Sequence, residues 1–312
     1  MSRRRSTFVE RLAAITVLVG WSAHANAQAC CAGTGAVTPG RLALHEVALV
    51  GVQLKGAAEL GSFDARGQYE KAPVGASELN LEQDLFGAIR FLDRAQLALL
   101  VPFVETRRTN RAASEFGGGL GDLNLSLRYD FTLAGASRSV PGIAALSGIT
   151  FPTGTPPDAE DLRPLATDAT GIGAFQGSLG LAVEQVFGAW LVSATGLVAV
   201  RSARNVTTGG VTVHERLAPQ WTALGAVAYV LPSEAAIALS ISYATEGNAV
   251  IDGAEAAGSG RRMTTGTLGG LLPLSDSWRL QGALFANPPF SDTSRNQTGF
   301  CGLSFTVVHS WT

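Results

Sequence analysis

The chain has 312 residues, a formal net charge of −2, 15% charged and 46% hydrophobic residues, and 37 glycines. Near-neutrality excludes the strongly basic footprint of a nucleic-acid-binding protein, and the charged fraction falls well below the roughly 25% of an ordinary soluble domain. Beyond the N-terminus no stretch reaches the roughly 18–20 apolar residues of a membrane helix.

The start of the chain, MSRRRSTFVERLAAITVLVGWSAHANAQA, has the three parts of a secretory signal peptide. Arg3, Arg4 and Arg5 are followed by an apolar run from Leu12 to Trp21 and by a small-residue cut site, Ala25-Asn26-Ala27 or Ala27-Gln28-Ala29. Residues 1–29 are therefore expected to be removed on export. Residues 30–312 would remain, with 30–44 a short periplasmic segment ahead of the first strand. Cleavage after Ala29 would leave Cys30 and Cys31 at the new N-terminus. A lipidation signal carries Leu or a similar residue three places before its cysteine; Ala27 stands there, which leaves lipidation of Cys30 the weaker alternative. With Cys301 far away, three cysteines make no disulfide framework. No metal site or cofactor is expected.

After about residue 45 one pattern recurs: apolar residues alternating with polar or small ones at period two, as in a strand with two unlike faces. The segment 47–60 alternates weakly. Leu79, Leu81, Leu85, Ile89 and Phe91 then share a face opposite Glu82, Asp84 and Arg90; after the Asp93-Arg94 turn, Leu97, Leu99, Val101 and Phe103 oppose Gln96 and Ala98. The most regular stretch is GGGLGDLNLSLRYDF, 117–131, where Asp122, Asn124, Ser126, Arg128 and Asp130 alternate with Leu123, Leu125, Leu127, Tyr129 and Phe131. A weaker segment spans 140–152. Leu179, Leu181 and Val183 oppose Gln176, Ser178 and Glu184, and Trp190, Val192, Val198 and Val200 oppose Ser193, Thr195 and Arg201. Beyond a weak segment at 220–231, Ile237, Leu239, Ile241 and Tyr243 oppose Ser240, Ser242 and Glu246. Another weak segment, 263–274, precedes Trp278, Leu280 and Leu284 opposite Arg279 and Gln281, and Leu303, Phe305, Val307 and Trp311 line one face of the last segment. The whole predicts about twelve strands.

The connections decide between a soluble sandwich and a membrane barrel. Long ones at 61–78, 104–118, 152–172, 202–219, 247–262 and 287–297 alternate without a break with short ones at 92–95, 132–139, 186–190, 231–235 and 274–277. Long loops on one side and tight turns on the other are the mark of an up-and-down transmembrane barrel, and a sandwich has few loops above ~12–15 residues. Aromatics agree: Phe91, Phe131, Phe187, Trp190, Tyr229, Trp278 and Trp311 lie near short turns or the C-terminus, and Phe103, Phe151, Phe175, Tyr243, Phe285 and Phe300 near long loops. Two belts of this kind suit two lipid interfaces. The reading is an all-β fold: a single antiparallel barrel in the outer membrane, long loops outside and both termini periplasmic. Its last strand is amphipathic and ends in an aromatic followed by Thr312, which resembles the signal of the outer-membrane assembly machinery.

With the Leu face against lipid, the polar residues line an interior. Glu82, Asp84 and Arg90 come from one strand and Asp122, Asn124, Arg128 and Asp130 from another, joined by Gln176, Glu184, Arg201, Arg279 and Gln281. Mixed charge argues against a dedicated anion or cation pore. Arg90, Arg128, Asp130 and Glu184 all run toward the short-turn end, which predicts an ion-paired constriction there.

GLGDLNLSLRYDF (119–131) and, one hairpin later, GITFPTGTPP (148–157) are similar to the two best-marked stretches of a family of outer-membrane transporters associated with meta-pathway phenol degradation. The resemblance covers about 25 residues. It implies an outer-membrane channel for small solutes, hydrophobic or aromatic ones among them, without naming the solute.

Enzymatic readings find little support. GGGLGD lacks the spacing of a phosphate-binding loop and leads into a strand. His45, His214 and His309 fall before the first strand, in a long loop and at the far end of the last strand, so no lipid-hydrolysing His–Ser pair forms on the outer face. Asp158, Glu160 and Asp161 in PDAEDLRP lack calcium-loop spacing and read as a solvated charge run. Two functions remain: passive passage of small solutes, or a structural, surface-interacting barrel with a closed lumen. Twelve strands fall between the eight that side chains fill and the sixteen that leave an aqueous channel. For the topology, a cysteine placed at 255 on intact cells should react with an impermeant maleimide while one at 94 or 276 should not; equal labelling would contradict the orientation.

Overall fold

A computed structural model of the protein describes residues 41–135, 139–159, 162–208 and 211–312. The signal-peptide reading, Cys30 and Cys31, and Glu160 and Asp161 of the acidic run lie outside the described residues.

Twelve strands form one closed antiparallel wall: β1 (Ala48–Phe63), β2 (Ser77–Leu92), β3 (Ala95–Thr109), β4 (Leu123–Thr132), β5 (Gly142–Phe151), β6 (Gln176–Phe187), β7 (Trp190–Arg201), β8 (Gln220–Val230), β9 (Ala236–Glu246), β10 (Arg261–Pro273), β11 (Trp278–Ala286) and β12 (Gln297–Trp311). Each pairs with its neighbour in sequence. β12 then pairs with β1, from Ala48 opposite Trp311 to Phe63 opposite Gln297, with one irregularity between Glu59 and Gly61. Closure leaves the sheet without an edge, the condition under which strands can cross a hydrocarbon layer.

The faces are inverted relative to a soluble protein. Leu239 and Leu284, at mid-strand, are 58% and 60% exposed, while Glu184 on the opposite face is 2% exposed. Asp84, Gln96, Ser193, Ser240, Arg279 and Thr306 are likewise buried, and Leu54, Leu85, Leu181 and Leu303 likewise exposed. Buried polar side chains inside and a continuous apolar belt outside identify a barrel built for lipid. At the short-turn end, the outward rings of Trp190 and Tyr229 pack with centroids 4.9 Å apart, and His309 lies between Trp278 and Trp311. Phe151 and Phe175 meet at the other end.

Three expectations change. Phe285 and Phe300 do not join the outer belt but line the interior, because they share parity with Gln281 and Ala283 and with Ser304 and Thr306. Position along a strand sets depth; parity alone sets the face. The regular stretch 117–131 is not one uninterrupted strand. Ser114–Leu120 pairs with Phe103–Thr109 of β3, β4 pairs with Ala95–Leu100, and the chain breaks at Gly121-Asp122, where a Cβ on Gly121 would strike the Pro102 ring. Finally, the loop 202–219 contains the hairpin Arg204–Thr208 and Val211–Arg216, extended by Val250–Ile251 and Ala254–Glu255 into a small separate sheet.

Leu239→Arg should hinder folding into bilayers, since a cation at mid-membrane on a barrel's outer face costs ~2–4 kcal/mol. Ser240→Arg, one residue away on the inner face, should fold at near wild-type yield. Refolding into lipid vesicles, read by heat-dependent gel mobility, checks both.

Candidate functional site

The interior holds a chamber of about 700 Å³ at mid-barrel. Gln53, Lys55, Asn80, Glu82 and Asp84 wall it from β1 and β2, and Ser126, Thr222, Ser240, Gln281 and Thr306 from around the ring. Its apolar wall is Phe86, Leu100, Leu224, Met263, Phe285 and Phe300. Gly51 opposite Phe86 is required: a Cβ there would collide with the Phe86 ring, which lies across the inner face of β1. A second space of about 210 Å³ shares Ala98, Asn124, Ser126 and Thr222 with the chamber and continues past Gln96, Arg128, Gln176 and Gln220.

The short-turn end is crossed by the chain itself. Ahead of β1 the described residues 41–47 turn against the inner face, with Leu42, Ala43 and Glu46 buried. Leu42 packs on Leu49, Phe86, Ala88 and Val308, and its N–H donates to Gln96 Oε1 at 3.1 Å. Both terminal nitrogens of Arg41 donate to the two Glu184 oxygens at 2.5 Å. Glu46 pairs with Arg279 of β11 and accepts the Ala43 N–H at 2.7 Å. Arg128 reaches Asp130 at 2.8 Å and Glu184 at 3.4 Å.

The expected cluster of four is thus assembled from different members. Arg128, Asp130 and Glu184 do meet, and Arg41 joins them. Arg90 does not: it donates to the carbonyls of Ala43 (2.7 Å), Glu46 (3.0 Å) and Asp93 (3.2 Å), so it holds the N-terminal segment instead. A polar residue ahead of the first strand looks like linker in sequence, and nothing in the period of β1 marks Arg41 or Glu46 as interior groups.

At the long-loop end Arg201 gathers Gln176 (2.8 Å), Gln220 (2.8 Å) and Glu246 (2.6 Å). Glu82 is taken by Lys55 at 2.7 Å, Asn124 donates to Thr150 at 3.0 Å, and Gln281 faces the chamber. Asp122 departs from its expected place on the lumen wall. Its two oxygens accept the N–H groups of Gly154 (2.9 Å) and Ile172 (2.6 Å), which ties down the connection 152–175. Thr153 completes this latch: its hydroxyl donates to Gly121 O at 2.7 Å and accepts from Leu123 N at 3.0 Å. The Gly-Leu-Gly-Asp and Pro-Thr-Gly stretches are therefore in contact. Arg108, paired with Glu78 at 2.7 Å, donates to Leu165 O at 2.9 Å in the same connection. Asp158 of the acidic run is spent on Arg204 at 2.7 Å.

A closed twelve-stranded antiparallel barrel with a lipid belt and an internal chamber defines the class: the transmembrane barrels of outer membranes. Among solved structures, the chain is similar to the crystal structure of an outer membrane channel from Pseudomonas putida F1, with a TM-score of 0.71 and 19% identity, covering 86% of this chain and 97% of that one. It is also similar to the translocator domain of the autotransporter NalP from Neisseria meningitidis, with a TM-score of 0.50 and 10% identity, covering 85% and 88%. These likenesses are of fold. No family model and no curated protein matches the sequence.

Glu184 is the common partner of two arginines, so its removal takes a partner from both Arg41 and Arg128, whereas loss of Arg128 leaves the Arg41–Glu184 pair in place. Glu184→Ala should lower the melting temperature more than Arg128→Ala. The upper bound is the roughly 3–5 kcal/mol of a broken dry pair, less where water enters. Thermal denaturation in detergent checks the order.

Proposed function

We propose that the protein is an outer-membrane channel for the passive passage of small solutes, oriented with its long loops outside and its termini in the periplasm. The observation that carries this reading is the chamber of about 700 Å³, which shares lining residues with a second space reaching from Gln96 and Arg128 to Gln176 and Gln220 instead of being filled by side chains. Its wall alternates amide and hydroxyl groups with Phe86, Phe285 and Phe300, a surface on which an aromatic or apolar solute with a polar group can lie. The Pseudomonas putida F1 structure of similar fold is itself described as an outer membrane channel. The motif resemblance favours hydrophobic or aromatic solutes; a phenol would satisfy both halves of the wall. Outer-membrane lipid is the barrel's other partner, and the assembly machinery its partner during insertion. On this reading the polar inner residues act by lining a path, not by chemistry.

One observation favours the second reading, a structural barrel with a closed lumen: residues 41–47 cross the short-turn end and are bonded at both Arg41 and Glu46. The two readings part on what happens when that segment is released. In a channel, the wild-type protein in a planar bilayer should show small conductance steps, and Arg41→Ala combined with Glu46→Ala should enlarge them severalfold. In a closed barrel, the same double variant should lower the melting temperature while conductance stays at zero.

A further inference from the structure

One acid on the chamber wall has a buried oxygen that accepts no hydrogen bond. Asp84 stands on the inner face of β2, 3% exposed, and its Oδ1 has no hydrogen-bond partner. The register explains why. On β1 it faces Gln53, whose amide nitrogen is turned to Thr306, donating at 2.9 Å, and gives Asp84 Oδ1 no hydrogen bond. On β3 it faces Pro102, which has neither N–H nor polar side chain. The next inward residue of β2 toward the long loops, Glu82, has the same sign and is held by Lys55. Lys55, Glu82 and Asp84 are the charged residues lining the chamber, so two acids stand against one base and the wall carries a formal excess of one negative charge. Beside them lie the apolar surfaces of Phe86, Leu100, Phe285 and Phe300.

A buried carboxylate oxygen with no donor is costly, and the neighbouring strands supply none. We propose that Asp84, with Glu82, forms a subsite for the ammonium group of an amphiphilic organic cation whose apolar or aromatic body lies against the chamber's phenylalanines. An ammonium brings both the missing N–H donors and the missing charge, and aromatic faces attract the same group. A bare divalent ion is disfavoured, because calcium takes six to eight oxygen ligands and one of the two carboxylates here is engaged by lysine. Among the described residues no group of three or more His, Cys, Asp or Glu could hold a metal ion. This inference rests on the channel reading and narrows its solute class.

Three probes of one shape separate charge from fit: benzylammonium, benzyl alcohol and benzoate, titrated calorimetrically into the full chain in detergent at neutral pH. Benzylammonium should bind at least tenfold more tightly than either of the others. Asp84→Asn, which keeps the shape and removes the charge, should abolish that preference while leaving benzyl alcohol within twofold. Lys55→Met, which frees Glu82, should strengthen it severalfold, and it serves as the second variant if Asp84→Asn does not fold. Equal binding of the three probes by wild-type protein overturns the subsite, as does an Asp84→Asn protein that keeps the preference. Conductance of the same preparations tells the two proposals apart. An open channel without cation preference overturns the subsite alone. Benzylammonium binding to a barrel that stays non-conducting after release of residues 41–47 supports the subsite and overturns the channel reading.

Discussion

In a hydrocarbon layer no backbone N–H or C=O finds water, and each one left unpaired costs several kcal/mol. The pairing of β1 with β12 discharges that requirement for the whole chain, and most of the architecture follows from it. The ladder continues one residue beyond the strand, with Val47 N–H donating to Trp311 O, so the chain must leave β1 at the short-turn rim. Lipid lies on one side of that rim and the lumen on the other. The described segment ahead of β1 turns to the lumen side, where Glu184 meets Arg41 and Arg279 meets Glu46. Closure of the sheet thus fixes where the chain enters the wall, and ion pairs fix where the segment ahead of it lies.

The inverted faces then set how the interior is built. An outward apolar belt pushes nearly every charge of the strands inward, and a low-dielectric interior tolerates them mainly in pairs. Toward the short-turn end the charges are long and reach the segment ahead of β1, as in Arg41–Glu184 and Glu46–Arg279. At mid-barrel the inward positions include Ser126, Thr222, Ser240, Ser304 and Thr306, too short to bridge, and the space they leave belongs to the chamber. Side-chain length along the inner face thus decides where the barrel is filled and where it is hollow.

Much of this was legible in the amino-acid order. Period two separated the outward Leu179, Leu181 and Val183 from the inward Gln176 and Glu184, and alternating loop lengths marked a barrel instead of a sandwich. What escaped were facts that depend on strand pairing. Phe285 and Phe300 were placed by depth when parity governs their face. Arg90 and Asp122 had the right parity, but their partners are backbone groups of Ala43 and Glu46 and of Gly154 and Ile172, brought near only once the ring closes. Lys55 sat in a weakly alternating segment, and its meaning comes from standing opposite Glu82. Asp84 looked like any inward acid; that it faces a proline and a glutamine turned to Thr306 can be read only from the register.

The two stretches that carry the family resemblance also prove to be one device. Asp122 and Thr153 bind each other's loops, with Gly121 and Gly154 at the contact, where a side chain would clash. This latch is needed because β5 stops at Phe151 and β6 begins at Gln176, so the wall is low on that side. Ser114–Leu120 then takes its contacts there from the connection 152–175: Thr170 donates to Leu120 O and Arg163 to Phe116 O. A motif of this kind is tied to how the wall is built. The groups facing the chamber, Asp84, Phe86, Phe285 and Phe300, lie outside it in stretches with no motif at all. Likeness in the latch therefore carries over an architecture, and the choice of solute has to be argued from the chamber wall of this chain.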